Sequence, residues 1–371
     1  MITGVGIECL KIERLDATPG QTSNIYYNYA AQCWISGIES ANCNFAHIEI
    51  NNSTNISIKG SYIHDAFAYG GGGQGYGVIC QATTGECLIE NNIFNHLRHS
   101  MLIQSGANGN VYAYNYSINP YWTEQFLPSN AAGDMVLHGN YPYANLFEGN
   151  IGQNIVIDDS HGINGPYNTF FRNRADLYGI FMNNNPASDN QNFIGNEITN
   201  TGFALGLYLL NGSGHFQYGN NVKGTIYASG TNDLTDTSYY SKNHPPYIGT
   251  FTHWPAIGLP NVISAGSIPA KDRFDNLDYT LCGEFMPTNT IISVSERLLH
   301  VFPNPSDDVF YVQTQEQIDI AVYNSMGCLL KKIKSVNTFT QLDLSGFSSG
   351  LYFLIPETSA GRGEPVKLIL Q

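Results

Sequence analysis

Leu88-Ile89-Glu90-Asn91-Asn92-Ile93-Phe94 is a stretch that the chain repeats. Aligned on Asn92, later copies read Tyr112-Ala113-Tyr114-Asn115, Phe147-Glu148-Gly149-Asn150, Phe170-Phe171-Arg172-Asn173, Phe193-Ile194-Gly195-Asn196 and Gln217-Tyr218-Gly219-Asn220. Earlier copies put Leu15, Ile38 and Ser61 in that column, with Ile12, Ile35 and Ile58 three residues before. From Leu15 onward the steps are 23, 23, 31, 23, 35, 23, 23 and 24. A fixed period broken by two insertions is the mark of a solenoid.

The unit decides which solenoid. Each copy holds short apolar runs of Ile, Val, Phe and Tyr cut by Gly and Asn, with no helical 3.6 pattern. Such a unit suits three short strands and three turns, one coil of a parallel β-helix, with like residues stacked one strand spacing apart. An Asn column fits that stack, because Asn tolerates a left-handed turn and its amide bonds the amides above and below. Charged residues make up only 12% of the chain, against 38 Gly, 24 Tyr and 19 Phe, a composition of strands, turns and side-chain stacks. The net charge of −14 argues against a nucleic-acid partner and disfavours an unassisted polyanionic substrate. No apolar run reaches the length of a membrane span.

The seven cysteines show no CxxC spacing, and their odd number leaves at least one thiol unpaired within the monomer. Cys80 and Cys87 either bridge a turn or serve as small apolar residues of the stack. The first coil, Gly6–Asp16, begins with no cap and no secretion signal before it, so further coils and a signal are expected ahead of Met1.

The two insertions leave the coil in the same interval. The first runs from Ala66 through the glycine-rich stretch to Tyr76-Gly77, and the second from Tyr121-Trp122 to Asp134. Between them lie His96, Arg98 and His99, so one loop-bearing edge is expected to hold a binding site. On the next strand, thirteen residues before the column, Ile48, Ile79, Leu102 and Leu137 are expected to point inward. Their neighbours, including His47, Asp159, His138, His161 and Asn184, then point outward. Asp159, His161, His138, Asp134, Asp158 and Arg174 are the candidate catalytic groups. Carboxylates beside imidazoles suit acid–base chemistry, whether a glycosidase's carboxyl pair or a lyase's base with a charge-stabilising partner. His96, Arg98, His99, Tyr121, Trp122, Arg172 and Tyr76 are candidates for substrate binding, and Asp158 and Asp159 for holding Ca²⁺. The competing reading makes His138 and His161 a structural ladder and ties the aspartates into turns.

With these residues in view, the Ile-x-x-Asn/Ser repeats of residues 6–225 resemble the right-handed parallel β-helix proteins of the pectate-lyase-like superfamily. The resemblance implies an all-β solenoid and a relation to lyases, hydrolases and non-catalytic binders of polysaccharides. Asp158-Asp159-Ser160-His161-Gly162 is similar to the Asp-Asp and His-Gly elements of polygalacturonases, fused here in one strand and followed by no Arg-x-Lys.

Residues 226–299 break the repeat with prolines and tyrosines and read as an irregular segment lying along the solenoid and covering its last coil. Within it His253 and Trp254 either join a carbohydrate platform or pack. From residue 300, short alternating strands suggest a small antiparallel sandwich. Phe302-Pro303-Asn304-Pro305, Val322-Tyr323-Asn324-Ser325-Met326-Gly327, Leu342-Asp343-Leu344-Ser345 and Gly350-Leu351-Tyr352 make residues 300–371 resemble a type IX secretion sorting domain. That implies export, a secretion-machinery partner, and a secreted or surface-attached protein. The expected function is cleavage of an extracellular polysaccharide as a lyase or hydrolase; the alternative is glycan binding or adhesion without chemistry.

Overall fold

The computed structural model describes residues 1–183, 185–249, 254–258, 263, 266–282, 299–314, 317–324, 327–336, 339–358, 361–362 and 365–371. The chain forms two compact units, residues 1–287 and 288–371.

The first unit is a parallel β-solenoid of about nine turns. One face is a nine-stranded, all-parallel sheet that gains a strand per coil from Gly6–Glu8 to Phe216–Tyr218. Two further rows of strands merge where Ile151–Ile157 pairs with both Tyr116–Ile118 and Met135–Leu137. Inward residues of the nine-stranded sheet stack in register: Ile35, Ile58 and Ile89, then Tyr112, Phe147, Phe170 and Phe193, all fully buried. The four aromatic rings lie nearly parallel at centroid spacings of 5.3, 4.9 and 5.5 Å. Each such side chain contributes roughly 1.5–3 kcal/mol through burial.

The strand pairing shifts the start of the repeat. Glu8 pairs with Ser36, which places Leu10 rather than Leu15 in the Asn column and Ile7 rather than Ile12 three residues before it. The first step is therefore 38 − 10 = 28 residues, and the first coil has an insertion of its own. The left-handed residue of the turn is also one place earlier than expected. Asn91, Tyr114 and Arg172 have φ of 54°, 53° and 51°, and Gly149, Gly195 and Gly219 fill the same place in other coils. The column residue instead turns its side chain inward. Asn92, Asn115, Asn150, Asn173, Asn196 and Asn220 form a buried ladder in which each Oδ1 accepts from the backbone N–H and side-chain Nδ2 of the preceding member. A parallel ladder of Asn110, Asn145, Asn168 and Gln191 runs along a second turn.

The segment after the repeat begins on the last coil, where Tyr227 packs on Tyr208 and Thr231 and Asp233 accept from Gly219 N–H and the Tyr218 hydroxyl. That end carries an antiparallel hairpin, Asn220–Val222 with Thr225–Tyr227. The following chain walks back along the solenoid toward its start. Tyr239 N–H donates to Glu148, Tyr240 and Tyr247 hydroxyls donate to Glu90, Arg273 donates to the Asn91 carbonyl, and Tyr279 stacks on Tyr62. It includes a short α-helix, Pro269–Asp275, where proline suits the first turn. A disulfide joins Cys9 to Cys282, so the strap is stapled to the first coil; Cys80 and Cys87 are buried free thiols and do not bridge.

Arg172 holds the strap at its other end. Its left-handed backbone directs a 1% exposed side chain into the carbonyls of Leu234, Asp236 and Gly258 at 3.2, 2.9 and 2.7 Å. Burial lowers its pKa to about 10, which leaves it charged at neutral pH. Arg172→Met strands three carbonyls and is expected to destabilise this unit by about 3 kcal/mol in urea unfolding. A loss below about 1 kcal/mol would show that the strap is held elsewhere.

The second unit is antiparallel. Leu299–Phe302, Val309–Thr314 and Phe339–Asp343 form one sheet; Leu329–Val336, Ile318–Asn324, Gly350–Thr358, Gly361–Arg362 and Val366–Leu370 form the other. Phe310, Val312, Ile320, Val322, Leu342, Leu354 and Leu368 fill the core.

Candidate functional site

The insertions meet at one edge. Gln21 Nε2 donates to the Gly72 carbonyl at 2.5 Å, and Thr123 N–H donates to the Tyr69 carbonyl at 3.2 Å, so the first-coil loop and the two longer ones touch. His96 packs between them, stacked on Tyr121 at 5.0 Å and edge-on to Tyr69 at 4.8 Å. Arg98 is spent on this junction, with Nη1 on the Gly70 carbonyl at 2.7 Å and the guanidinium 5.8 Å from the Tyr76 ring centroid. His99 stacks on Tyr76 and shares a hydrogen bond with the Gly133 carbonyl, and burial together with Arg98 lowers its pKa to about 3. Tyr76 and His99 are buried, and Trp122 donates to the Pro128 carbonyl within its own loop. Of the expected binding residues on this edge, most build the edge rather than line it.

On the neighbouring strands Ile48 and Leu137 face inward as expected, while the coils of Ile79 and Leu102 differ from expectation by one residue. Val78 pairs with Ile48 and Met101, and these face the core, as do Cys80, Ile103 and Leu137. Ile79, Leu102 and Val136 lie on the outer face with Phe45, Tyr76 and Val156 in a separate buried cluster. His47, expected outside, is fully buried between the Ser40 hydroxyl and the Asp65 carbonyl, and burial lowers its pKa to about 3.

Past the strand ends a polar column follows the axis, one residue per coil: Asn51, Gln81, Gln104, His138, Asp158 and Asn183. Gln104 donates to Gln81, and Gln81 to Glu49, which also accepts from Ser23. His138 Nδ1 lies 2.6 Å from Asp158 Oδ2, but the N–H is poorly aimed, so the contact is electrostatic more than a directed hydrogen bond. Asp158 Oδ1 accepts from the Ser160 N–H and hydroxyl at 2.7 and 2.5 Å. Burial acts to raise the Asp158 pKa, yet His138 and Ser160 override it and hold the group well below the usual carboxylate range. His161, exposed, packs edge-on against His138 at 4.8 Å. It sits on a turn that only glycine at 139 permits, since a Cβ there would lie 2.7 Å from the His161 carbonyl carbon.

Other expected members are elsewhere or committed. Asp134 is fully buried beneath the second insertion, accepting from Ser117 and from the Gln153 and Asn154 N–H groups; burial raises its pKa to about 6. Enclosed in this way it cannot meet a polymer from solution. Arg174 pairs with Glu197 at 2.8 Å in a different strand row, and Arg172 anchors the strap. Asp159 accepts from Asn183 and from the Asn185 N–H. The oxygens of Asp158 and Asp159, expected to hold Ca²⁺, accept from side chains and turn amides in this structure. Among the described residues no group of three or more His, Cys, Asp or Glu gathers for a metal. His253 and Asn184 lie outside the described residues; Trp254 packs against Tyr114 and His244.

Sequence reasoning missed the tyrosines beside His161. Tyr141, Tyr143 and Tyr167 are 51%, 40% and 64% exposed on two stacked turns, residues 139–144 and 161–167. The turns are bound by Asn140 N–H to the His161 carbonyl, Tyr141 N–H to the Ile163 carbonyl and Ala144 N–H to the Pro166 carbonyl. The available signal was tyrosine at nine and seven residues before Asn150 and six before Asn173, in turns that otherwise favour Gly and Asn.

Residues 300–371 match the family described as a secretion system C-terminal sorting domain. They carry the chain by type IX export to the cell surface or the extracellular space. No helix among the described residues is long and apolar enough to cross a membrane. No curated protein matches the chain.

Proposed function

We propose that this exported β-helix binds an extracellular polysaccharide along the edge formed by the His161 turn and the polar column beside it. The observation that carries this reading is the exposed aromatic strip of Tyr141, Tyr143 and Tyr167 next to a row of amide, imidazole and carboxylate groups. Aromatic faces stack on sugar rings while the polar column bonds hydroxyls, and two stacked turns hold the tyrosines at the strand spacing. The state of the carboxylates supports binding over cleavage, because Asp134, Asp158 and Asp159 are tied to turn amides and buried partners. Retention of the purified chain on immobilised acidic and neutral polysaccharides tests the reading. Tyr141→Ala with Tyr167→Ala is expected to weaken retention by roughly 10-fold or more, at about 1 kcal/mol per lost ring. Unchanged retention in that double variant would sink it.

One observation favours cleavage as a second reading. Asp158 Oδ2 lies 2.6 Å from His138 Nδ1, and the exposed His161 packs on that ring, so a carboxylate and two imidazoles, the groups of acid–base chemistry, gather at this edge. New reducing ends with ultraviolet-absorbing products, lost in His161→Ala, would establish a lyase; reducing ends alone would establish a hydrolase.

A further inference from the structure

The last coils carry a concave feature on the nine-stranded sheet, away from the His161 edge. It encloses about 210 Å³ and is lined by Ile194, Phe216, Tyr218, Asp233, Leu234, Thr235, Asp236 and Tyr239. Phe216 and Tyr218 project from the same strand with rings 6.3 Å apart and 10° from parallel, and Phe216 is 52% exposed. Tyr239 forms the far wall, packed at 4.2 Å on Phe171. The volume suits one ring rather than a chain.

The polar groups are arranged as acceptors. Tyr218 hydroxyl donates to Asp233 Oδ1 at 2.5 Å, and Tyr239 hydroxyl donates to Asp236 Oδ2 at 2.7 Å. Each carboxylate is oriented by a tyrosine, and both aspartates are exposed. Arg172 lies behind the wall and meets the backbone carbonyls of Leu234 and Asp236, so it presents no donor to the opening. The pocket combines flat apolar rings with anionic acceptors.

We infer that this pocket is a subsite for a non-acidic sugar ring, whose C–H face stacks on Phe216 and Tyr218 and whose hydroxyls donate to Asp233 and Asp236. Stacking selects a ring with an apolar face, oriented carboxylates select vicinal donors, and their charge rejects a uronate. The inference deepens the glycan-binding reading but uses none of the residues of the His161 edge.

The test is calorimetric titration of the full chain with cellohexaose, laminarihexaose, mannohexaose and xylohexaose, and with hexagalacturonate as the acidic counterpart. At least one neutral hexasaccharide is expected to bind, with hexagalacturonate at least about 10-fold weaker at this pocket. Phe216→Ala, an exposed substitution, is expected to weaken the neutral ligand about 10-fold, and Asp233→Asn to narrow the gap between neutral and acidic ligands. Thermal unfolding of both variants is expected to match the parent. Absence of neutral binding overturns the inference, as does binding that survives Phe216→Ala. Neutral binding lost in Tyr141→Ala/Tyr167→Ala but retained in Phe216→Ala overturns the subsite while leaving the His161 edge standing; the reverse pattern upholds the subsite and removes the edge.

Discussion

Asn150→Leu is expected to destabilise the solenoid by about 4 kcal/mol, far more than a polar-to-apolar exchange usually costs. The residue is fully buried and makes four ladder bonds. Its Oδ1 accepts from the Asn115 N–H and Nδ2 at 2.9 and 3.0 Å; its Nδ2 donates to the Tyr112 carbonyl and Asn173 Oδ1 at 2.8 and 2.9 Å. Leucine fills the space but leaves a buried N–H, a buried carbonyl and two amide groups without those partners. At about 1–3 kcal/mol for each stranded group, less the apolar transfer gained, the balance falls near this figure. Asn192→Ala is the control: the side chain is half-buried and donates to Thr169, and a change within about 0.5 kcal/mol is expected. Urea unfolding measures both. A cost below about 1.5 kcal/mol for Asn150→Leu would mean that neighbouring amides re-pair across the gap.

The ladder also explains what was legible. A stacked coil repeats one turn, so the turn's demand for an inward amide writes Asn at a fixed period, and that period yields the parallel β-helix directly from sequence. Where the column turns apolar the signal is ambiguous. Leu10 and Leu15 both sit three residues after an isoleucine, and only backbone pairing separates them. Face assignment failed in the coils of Ile79 and Leu102 for a different reason. A strand with one solvated side alternates polar and apolar, but Val78-Ile79-Cys80 and Met101-Leu102-Ile103 are apolar on both sides. The insertions and the His99–Tyr76 stack enclose the outer face, so a one-residue shift leaves no mark on the pattern.

Charge was legible as composition but not as role. Asp134, Arg98, Arg172 and Arg174 looked available because nothing local shows a distant carbonyl or carboxylate. Arg172 meets Gly258 across 86 residues, and Cys9 meets Cys282 across 273. A strap returning along the solenoid supplies those partners, and a segment without periodicity gives no register from which to foresee them. The tyrosines at 141, 143 and 167 were hidden because aromatic residues in turns resemble packing residues until their exposure is known.

Removing residues 300–371 is expected to abolish surface delivery. Fusing them to a reporter already routed to the periplasm of a cell with type IX machinery is expected to bring that reporter to the surface. The segment can act alone because it has its own core, separate from the solenoid's. If the machinery reads the folded unit rather than a linear tag, recognition is sensitive to packing. Phe310 is fully buried at the centre of that core. Phe310→Ala costs roughly 3–5 kcal/mol, comparable with the whole stability of a domain this small. The fused reporter carrying it is expected to remain in the periplasm, while Leu329→Ala, at a 53% exposed position, travels as the parent does. Surface labelling of intact cells against total reporter gives the ratio. Delivery undiminished by Phe310→Ala would mean that a short linear element is read, and the Gly350-Leu351-Tyr352 strand would then be the first to replace.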